Sequence, residues 1–244
     1  MRRFLKFTWV AWFYLIAGIT GSIIMFFVPF CVFSRICMQF LRRLWTGATF
    51  LLTGVDVKSV YDPEFLEYYY SGKPVIFCPN HTSHLDIPVI LEAIWGDISF
   101  IAKHELAMNP LLLPYLKKLD LLVRRNSVVH SAIVWRKASQ FLNNGVSLVV
   151  FPEGKIVYNE KTPCLGRLKN GAFKLAIETG CPIVPVVMLD NWHIMGDDGR
   201  YGGHPGSARV LFMKPIFPES NANELKSKYE TIMNRYLCNL RKLI

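Results

Sequence analysis

The feature that most limits how this chain can fold is a long stretch without charge near its N-terminus. No charged residue occurs from Phe7 to Ser34, and Phe, Ile, Val and Trp dominate these 28 positions. A helix over Phe7–Val28 would be roughly 33 Å long, which is enough to cross the apolar core of a bilayer. Pro29 is expected to end or kink it. The stretch predicts a membrane-spanning helix or a helical hairpin that dips into one leaflet; a buried helix of a soluble core is the third interpretation.

The next segment, residues 35–48, has the periodicity of an amphipathic helix. Because a basic helix face is typical of contact with an anionic membrane surface, we expect the polar side of this helix to meet lipid headgroups. Arg2, Arg3 and Lys6 precede the uncharged stretch, so basic residues flank it on both sides and leave its orientation open. The polar side holds Arg35, Gln39, Arg42, Arg43 and Thr46, and the apolar side holds Cys37, Phe40, Leu41, Leu44, Trp45 and Ala48.

The overall charge favours anionic partners. The formal net charge is +10 and the sequence pI is near 9.4, which suits anionic lipid, phosphorylated small molecules or an acidic carrier protein. The chain has no dense run of Lys and Arg, and its aromatic residues lie in the uncharged stretch instead of among basic ones, so nucleic acid is not expected as a partner. The six cysteines show no Cys-x-x-Cys pair and no zinc-ligand spacing to a histidine, which predicts free thiols and no metal site.

After Gly54 the sequence has the composition of a globular domain. We therefore divide the chain into membrane-associated N-terminal helices (1–54) and a domain (55–244). Short apolar runs predict strands over 74–78, 98–102, 121–123, 147–151, 183–189 and 208–212. Helical patterns cover 88–95, 110–118, 128–143, 170–179 and 223–242, and the non-periodic residues 190–207 predict a long loop. This alternation predicts an α/β fold with a largely parallel mixed sheet flanked by helices.

The first candidate site is the segment from Asn80 to Asp86, which follows the first predicted strand. His81 lies just past the strand end, and Asp86 comes five residues later. If the loop turns back, the carboxylate can accept a hydrogen bond from one imidazole nitrogen and leave the other free to take a proton from a hydroxyl group. No Ser or Cys nucleophile is needed if the substrate's own hydroxyl attacks. Asp86 can equally be an ordinary helix cap, and the pair alone favours that plainer interpretation.

Two further candidate sites also follow apolar strands. Phe151-Pro152-Glu153-Gly154 ends one strand, and its carboxylate and backbone N–H groups can bind hydroxyl and phosphate groups at the same sheet edge as His81. Arg125 ends another strand and suits a phosphate by bidentate donation. Taken singly, these residues are as well explained by an ordinary turn and a surface arginine.

The order of these blocks resembles the 1-acylglycerol-3-phosphate acyltransferase family over roughly residues 74–190. The blocks are Asn80-His81-x-x-x-x-Asp86, an apolar run ending in Arg125, Phe151-Pro-Glu-Gly154 and Pro182-Ile-Val-Pro-Val186; Phe100-Ile-Ala-Lys-His-Glu-Leu106 is also similar. The resemblance implies acyl transfer from acyl-CoA or acyl-carrier protein to lysophosphatidic acid, with no cofactor, on the cytoplasmic side of a membrane. It also implies that His81 is the base and Asp86 its partner. Arg125, Glu153 and Gly154 are implied to lie at the acceptor's phosphate and glycerol.

The sequence departs from the family pattern around acceptor binding. Gly154 is followed by Lys155-Ile156 where the family often continues Thr-Arg-Ser, so Lys155, Arg167 or Lys169 can supply the missing charge. Arg124 stands where Asp is usual, and Leu119 where Gly is common. The alternatives are therefore a glycerol-3-phosphate or other lysolipid acyltransferase, or an inactive lipid-binding protein on the same fold.

Overall fold

The domain is built on one mixed β-sheet. In the computed structural model, which describes residues 2–124, 128–157, 164–196, 200, 202–219 and 221–240, the sheet order is β1-β7-β6-β2-β5-β3-β4. β6 and β7 pair antiparallel and the other neighbours pair parallel, which confirms the predicted largely parallel mixed sheet. The strands are β1 (Val55–Tyr61), β2 (Ile76–Pro79), β3 (Ile98–Lys103), β4 (Leu121–Val123), β5 (Ser147–Val149), β6 (Ile183–Met188) and β7 (Gly206–Phe212).

Helices cover both faces of this sheet. They are α1 (Arg2–Met25), α2 (Val28–Cys31), α3 (Arg35–Thr53), α4 (Pro63–Tyr70), α5 (Asp86–Ala93), α6 (Leu113–Leu119), α7 (Val128–Asn143), α8 (Gly171–Thr179), α9 (Asn191–Ile194) and α10 (Ala222–Leu240), with a 3₁₀ helix over His104–Met108. Successive residues of β2 point into different cores: Phe77 packs with α4 and α5, and Ile76 packs with α7, α8 and α10. This coverage explains why the central strands are continuous apolar runs.

Several elements differ from the sequence prediction. β1 and α4 were not predicted, because Asp56 and Lys58 interrupt the apolar residues of an edge strand whose burial alternates. The predicted loop 190–207 contains the short helix α9 and the start of β7. α5 begins at Asp86, two residues before the predicted start. The division of the chain at residue 54 stays a prediction.

α1 and α3 form an antiparallel helical hairpin. The indole of Trp9 donates to the Thr53 carbonyl at 3.0 Å, and the indole of Trp45 donates to the Ala17 carbonyl at 2.9 Å. The hydroxyl groups of Thr20 and Thr49 also lie 2.9 Å apart. Polar groups therefore fix the register of the two helices.

The polar side of α3 does not face lipid, so that expectation is wrong. Arg35 and Arg42 form ion pairs with Asp97 at 2.8 Å and Asp120 at 2.9 Å, and Gln39 donates to Asp97 and to the Ile98 carbonyl. The physical reason is that the sheet presents two carboxylates and the Ile98 carbonyl beside α3, and buried polar groups need such partners. The apolar side of α3 is the exposed one, at Ile36, Phe40, Leu44, Leu51 and Leu52.

The hairpin lies along the domain instead of projecting from it. Near the start of α1, the Lys6 carbonyl accepts a hydrogen bond from Gly203 N at 3.0 Å. At the other end, Ile24 and Val28 pack with Tyr115 and Leu119 of α6. Among the described residues, one helical segment, Phe4–Met25, is long and apolar enough to cross a membrane by length and composition.

Two cysteines differ from the expectation of free thiols. Cys31 and Cys37 form a disulfide, because the turn from α2 into α3 brings their Cα atoms to 5.2 Å. Cys78 and Cys181 are free thiols, and Cys78 is fully buried.

Candidate active site

The loop that carries His81 is anchored to the sheet by its neighbour Asn80. The Asn80 amide donates to the Met188 carbonyl at 3.1 Å and accepts from Met188 N at 2.7 Å. Its side chain thus takes the place of a backbone pair and extends the pairing of β2 with β6 by one residue. Asn80 is fully buried. The chain therefore leaves the carboxyl end of β2 in a fixed direction, which is where a ligand site is expected in an α/β sheet.

His81 and Asp86 form the predicted pair. His81 Nδ1 lies 2.9 Å from Asp86 Oδ2. The same oxygen accepts from the backbone N–H groups of Thr82 at 2.7 Å and Ser83 at 3.0 Å. Asp86 is the first residue of α5, but these amides precede it, so its carboxylate organises the His81 loop and is not a simple helix cap.

This arrangement fixes the imidazole. With Asp86 as acceptor, Nδ1 carries the proton and Nε2 is the nitrogen that can take another. The ring stacks on Phe151 with 4.0 Å between ring centroids, and the His81 side chain is only 13% exposed. A base held in this way can remove a proton from a substrate hydroxyl group.

Glu153 supports the same loop from the neighbouring strand. Its carboxylate accepts from His81 N at 2.9 Å through Oε1 and from Gly166 N at 2.9 Å through Oε2. Burial raises the pKa of Glu153 to about 7, against the two amide hydrogen bonds, which lower it. Both oxygens bind backbone in this structure, and the assignment of Glu153 to the acceptor stays a prediction.

Gly154, Lys155 and Lys169 lie together beside Glu153. Gly154 has a φ of 66°, and a Cβ there would stand 2.7 Å from Lys169 Nζ, so glycine leaves room for the lysine. Lys155 and Lys169 are exposed, and a cationic pair beside a base suits an anionic substrate. Arg125 lies outside the described residues; the exposed Arg124 places Nη2 3.3 Å from His104 Nε2.

Sequence reasoning missed two residues that touch the pair. Phe151 was seen only as part of a turn motif, yet it packs against the His81 ring. Asn191 donates from Nδ2 to Asp86 Oδ1 at 2.7 Å, and it came from a segment whose lack of periodicity gave no signal. In the described part of the chain, no three His, Cys, Asp or Glu residues are grouped closely enough to hold a metal ion.

Comparison with known proteins gives consistent matches. A family model described as Acyltransferase matches residues 61–189. The chloroplastic 1-acyl-sn-glycerol-3-phosphate acyltransferase BAT2 of Brassica napus is 25% identical over 237 residues, or 91% of this chain and 66% of that protein. An uncharacterized acyltransferase of Schizosaccharomyces pombe is 32% identical over 171 residues, covering 68% of this chain and 61% of that protein.

A solved structure resembles the whole fold. The crystal structure of the 1-acyl-sn-glycerophosphate acyltransferase PlsC from Thermotoga maritima has a TM-score of 0.81 and 27% sequence identity, and the match covers 99% of this chain and 98% of that one. The chain spans 61% to 66% of the length of the first curated relatives that it matches.

Proposed function

The chain belongs to the Acyltransferase family, and from that premise we propose that it moves a fatty acyl chain to the free hydroxyl group of 1-acylglycerol-3-phosphate, giving phosphatidic acid. The donor is acyl-CoA or acyl-carrier protein. The observation that carries the proposal is the His81–Asp86 pair at 2.9 Å. It lies at the carboxyl end of β2 with no serine or cysteine assigned as nucleophile, which suits direct attack by the acceptor hydroxyl.

The proposed reaction takes one proton through His81. Nε2 removes the proton from the acceptor hydroxyl as that oxygen attacks the thioester carbonyl, and Asp86 stabilises the imidazolium. The carbon–sulfur bond then breaks, the acyl group stays on the acceptor oxygen, and the thiolate leaves with the proton from His81. The chemistry needs the acyl thioester as co-substrate and no further cofactor.

Charge beside the pair supports a phosphorylated acceptor. Lys155 lies on the glycine turn that follows β5, on the same sheet edge as His81. Lys169 packs against Gly154 of that turn, and its N–H donates to the Pro152 carbonyl at 2.8 Å. We assign them, with Arg125, to the acceptor phosphate. Because a lysine replaces the arginine that is usual after the Phe-Pro-Glu-Gly block, glycerol-3-phosphate or another lysolipid is the alternative acceptor.

The hairpin supports membrane association. Its outer surface exposes large apolar side chains along its whole length, among them Phe4, Leu15, Ile19, Ile23, Phe26, Phe30, Phe33, Ile36, Phe40 and Leu51. A contiguous apolar surface of this kind indicates a lipid contact. Both ends of α1 touch the domain, which favours a hairpin that dips into one leaflet of an anionic bilayer over a helix that spans it.

A hairpin that dips into one leaflet also indicates on which side of the membrane the domain lies. Lys6 contacts the domain at Gly203, so the basic residues at the start of α1 lie on the domain's side of the membrane. Excess Lys and Arg mark the cytoplasmic side. We therefore place the catalytic domain there.

The test is thiol release from an acyl thioester by the purified chain in detergent. Wild type is compared with His81→Ala, with and without 1-acylglycerol-3-phosphate. We expect release that needs both His81 and the acceptor, and a loss of at least about 100-fold in the variant, the usual contribution of a general base.

The other outcomes separate the alternatives. Release that needs His81 but prefers glycerol-3-phosphate or another lysolipid keeps the mechanism and changes the substrate. Equal release by wild type and His81→Ala contradicts the assignment of the base. No release with any donor and acceptor, in a chain that still binds vesicles, favours a lipid-binding protein on the same fold.

A further inference from the structure

We propose that Asn191 is a positioning residue that holds Asp86, and through Asp86 the base His81, in the reactive arrangement. The inference rests on the proposed function, since it concerns the same site. Asn191 is the first residue of α9, just beyond the carboxyl end of β6. It lies 105 residues from Asp86 in the chain, it is fully buried, and its Nδ2 lies 2.7 Å from Asp86 Oδ1.

The two oxygens of Asp86 have different partners. Oδ2 accepts from His81 Nδ1 and from the backbone N–H groups of Thr82 and Ser83, all within five residues of Asp86. Oδ1 accepts from the Asn191 amide. Rotation of the carboxylate is therefore opposed on one side by the local loop and on the other by Asn191. Without Asn191, the buried Oδ1 of the charged Asp86 carboxylate would lose its hydrogen bond from the amide.

The segment that carries Asn191 is joined to β7, where Arg209 N donates to Asp190 Oδ2 at 2.9 Å, and to the His81 loop. The Trp192 indole donates to the Leu189 carbonyl at 2.9 Å, and Met195 N donates to the Asn191 carbonyl at 3.1 Å. The Ser83 hydroxyl, in the His81 loop, donates to the Met195 carbonyl. Two separate contacts thus join the loop to residues 191–195, so the amide approaches Asp86 from a rigid support.

The orientation of the Asn191 amide is explained by its hydrogen bond to Asp86. Among the described residues, the buried Asn191 Oδ1 has no hydrogen-bond partner, so the side chain keeps its position at the cost of one unpaired acceptor. A residue retained merely to fill space would not need a polar group there. The arrangement fits a donor whose purpose is to orient the carboxylate.

The experiment compares Asn191→Ala with Gln39→Ala in the thiol-release assay. Gln39 is the matched control, because it is a buried amide that donates to Asp97 Oδ1 at 2.9 Å on α3, outside the site. We expect Asn191→Ala to lower kcat by roughly 10- to 100-fold, the value of a hydrogen bond to a charged group, with little change in the KM of the acceptor. Gln39→Ala should lower Tm and leave kcat unchanged.

The pH profile separates orientation from simple loss of stability. An Asp86 carboxylate without the amide donor holds the imidazolium more strongly, so the acidic limb of kcat/KM should move to higher pH in Asn191→Ala. Unchanged kcat and an unchanged profile, with a Tm loss like that of Gln39→Ala, would overturn the proposal. Wild type that releases no thiol would instead contradict the proposed function.

A second variant covers the case in which Asn191→Ala does not fold. Asn191→Asp has the same shape, and its new carboxyl group would lie against Asp86, where two like charges cannot both be present. While the two groups share a proton, the new group can donate to Asp86 as the amide does. Its kcat should therefore fall on the alkaline side at a pH where wild type is still active. A wild-type profile in this variant contradicts the proposal.

Discussion

At the scale of single residues, Glu153 is a buried carboxyl group whose charge affects the stability of the loop that carries His81. It is only 3% exposed, and its two oxygens tie the backbone of His81 to that of Gly166. Burial raises its pKa to about 7 from an ordinary value of 4.5. The Glu153 carboxylate therefore changes charge near neutral pH while it holds the loop that carries His81.

This pKa predicts how stability depends on pH. The native state binds a proton at Glu153 that the unfolded chain has already released between pH 4.5 and about 7. The contribution of Glu153 to the free energy of unfolding is therefore fully present below pH 4.5 and is lost as pH rises through about 7. The loss is roughly 3 kcal/mol, at about 1.4 kcal/mol for each pKa unit.

The measurement is chemical denaturation of wild type and Glu153→Gln from pH 4 to 8. The glutamine does not titrate, so the difference between the two proteins isolates Glu153. We expect the stability of wild type to fall relative to the variant across this range. A difference that is flat with pH, or that rises, contradicts the shifted pKa.

The sequence predicted the central pair but not its support. A histidine after a strand and an aspartate five residues on predict a contact, because both lie in one short loop. Asn191 reaches Asp86 only through the pairing of β2 with β6 and the turn into α9. Contacts between residues so far apart in the chain are set by the fold, and no local spacing predicts them.

At the scale of elements, α3 shows what a periodic pattern can and cannot predict. The spacing of Arg35, Gln39 and Arg42 predicts a polar side of a helix, and the structure confirms it. The pattern does not say which side faces the protein. Asp97 and Asp120, which precede β3 and β4, decide that by pairing with the arginines.

The pair of Arg42 with Asp120 should be important for stability. Their side chains are only 6% and 4% exposed, so removing one partner leaves a buried charge alone. We expect Arg42→Ala to lower the free energy of unfolding by about 3 to 5 kcal/mol. The control is Lys214→Ala, whose pair with Glu64 at 2.7 Å is also short but is 61% and 60% exposed. That variant should lose much less stability, because solvent screens an exposed pair. If chemical denaturation gives equal losses in the free energy of unfolding for both variants, burial does not determine how much these ion pairs stabilise the fold.

At the scale of the whole molecule, the apolar hairpin packs on the same domain that carries His81 at one edge of its sheet. The hairpin touches the domain at Gly203 near one end and at Tyr115 near the other. It also continues directly into β1 through Gly54, whose φ of 72° ends α3. Under the proposed function, a lysolipid acceptor can keep its acyl chain in the leaflet while its polar end reaches the domain, because the hairpin and the domain form one packed structure.

The last prediction concerns the turn of the hairpin and the start of α3. Phe30, Phe33 and Phe40 are 75%, 91% and 56% exposed, so they contribute little to folding. Each aromatic side chain that enters a bilayer contributes about 1.5 to 3 kcal/mol. Changing all three to Gln should therefore weaken vesicle binding by at least about 100-fold in a sedimentation assay, with Tm unchanged in detergent.

The control is Phe217→Gln, a 54% exposed aromatic residue outside the hairpin that packs against Tyr68. It removes a comparable apolar side chain and should leave vesicle binding unchanged. If the triple variant binds as wild type does, the hairpin is not the lipid contact. If Phe217→Gln weakens binding equally, the contact extends over a different face. A selective loss in the triple variant would show that the membrane lies against the outer surface of the hairpin. On α3 that surface is the side opposite to the one that the basic residues alone suggest.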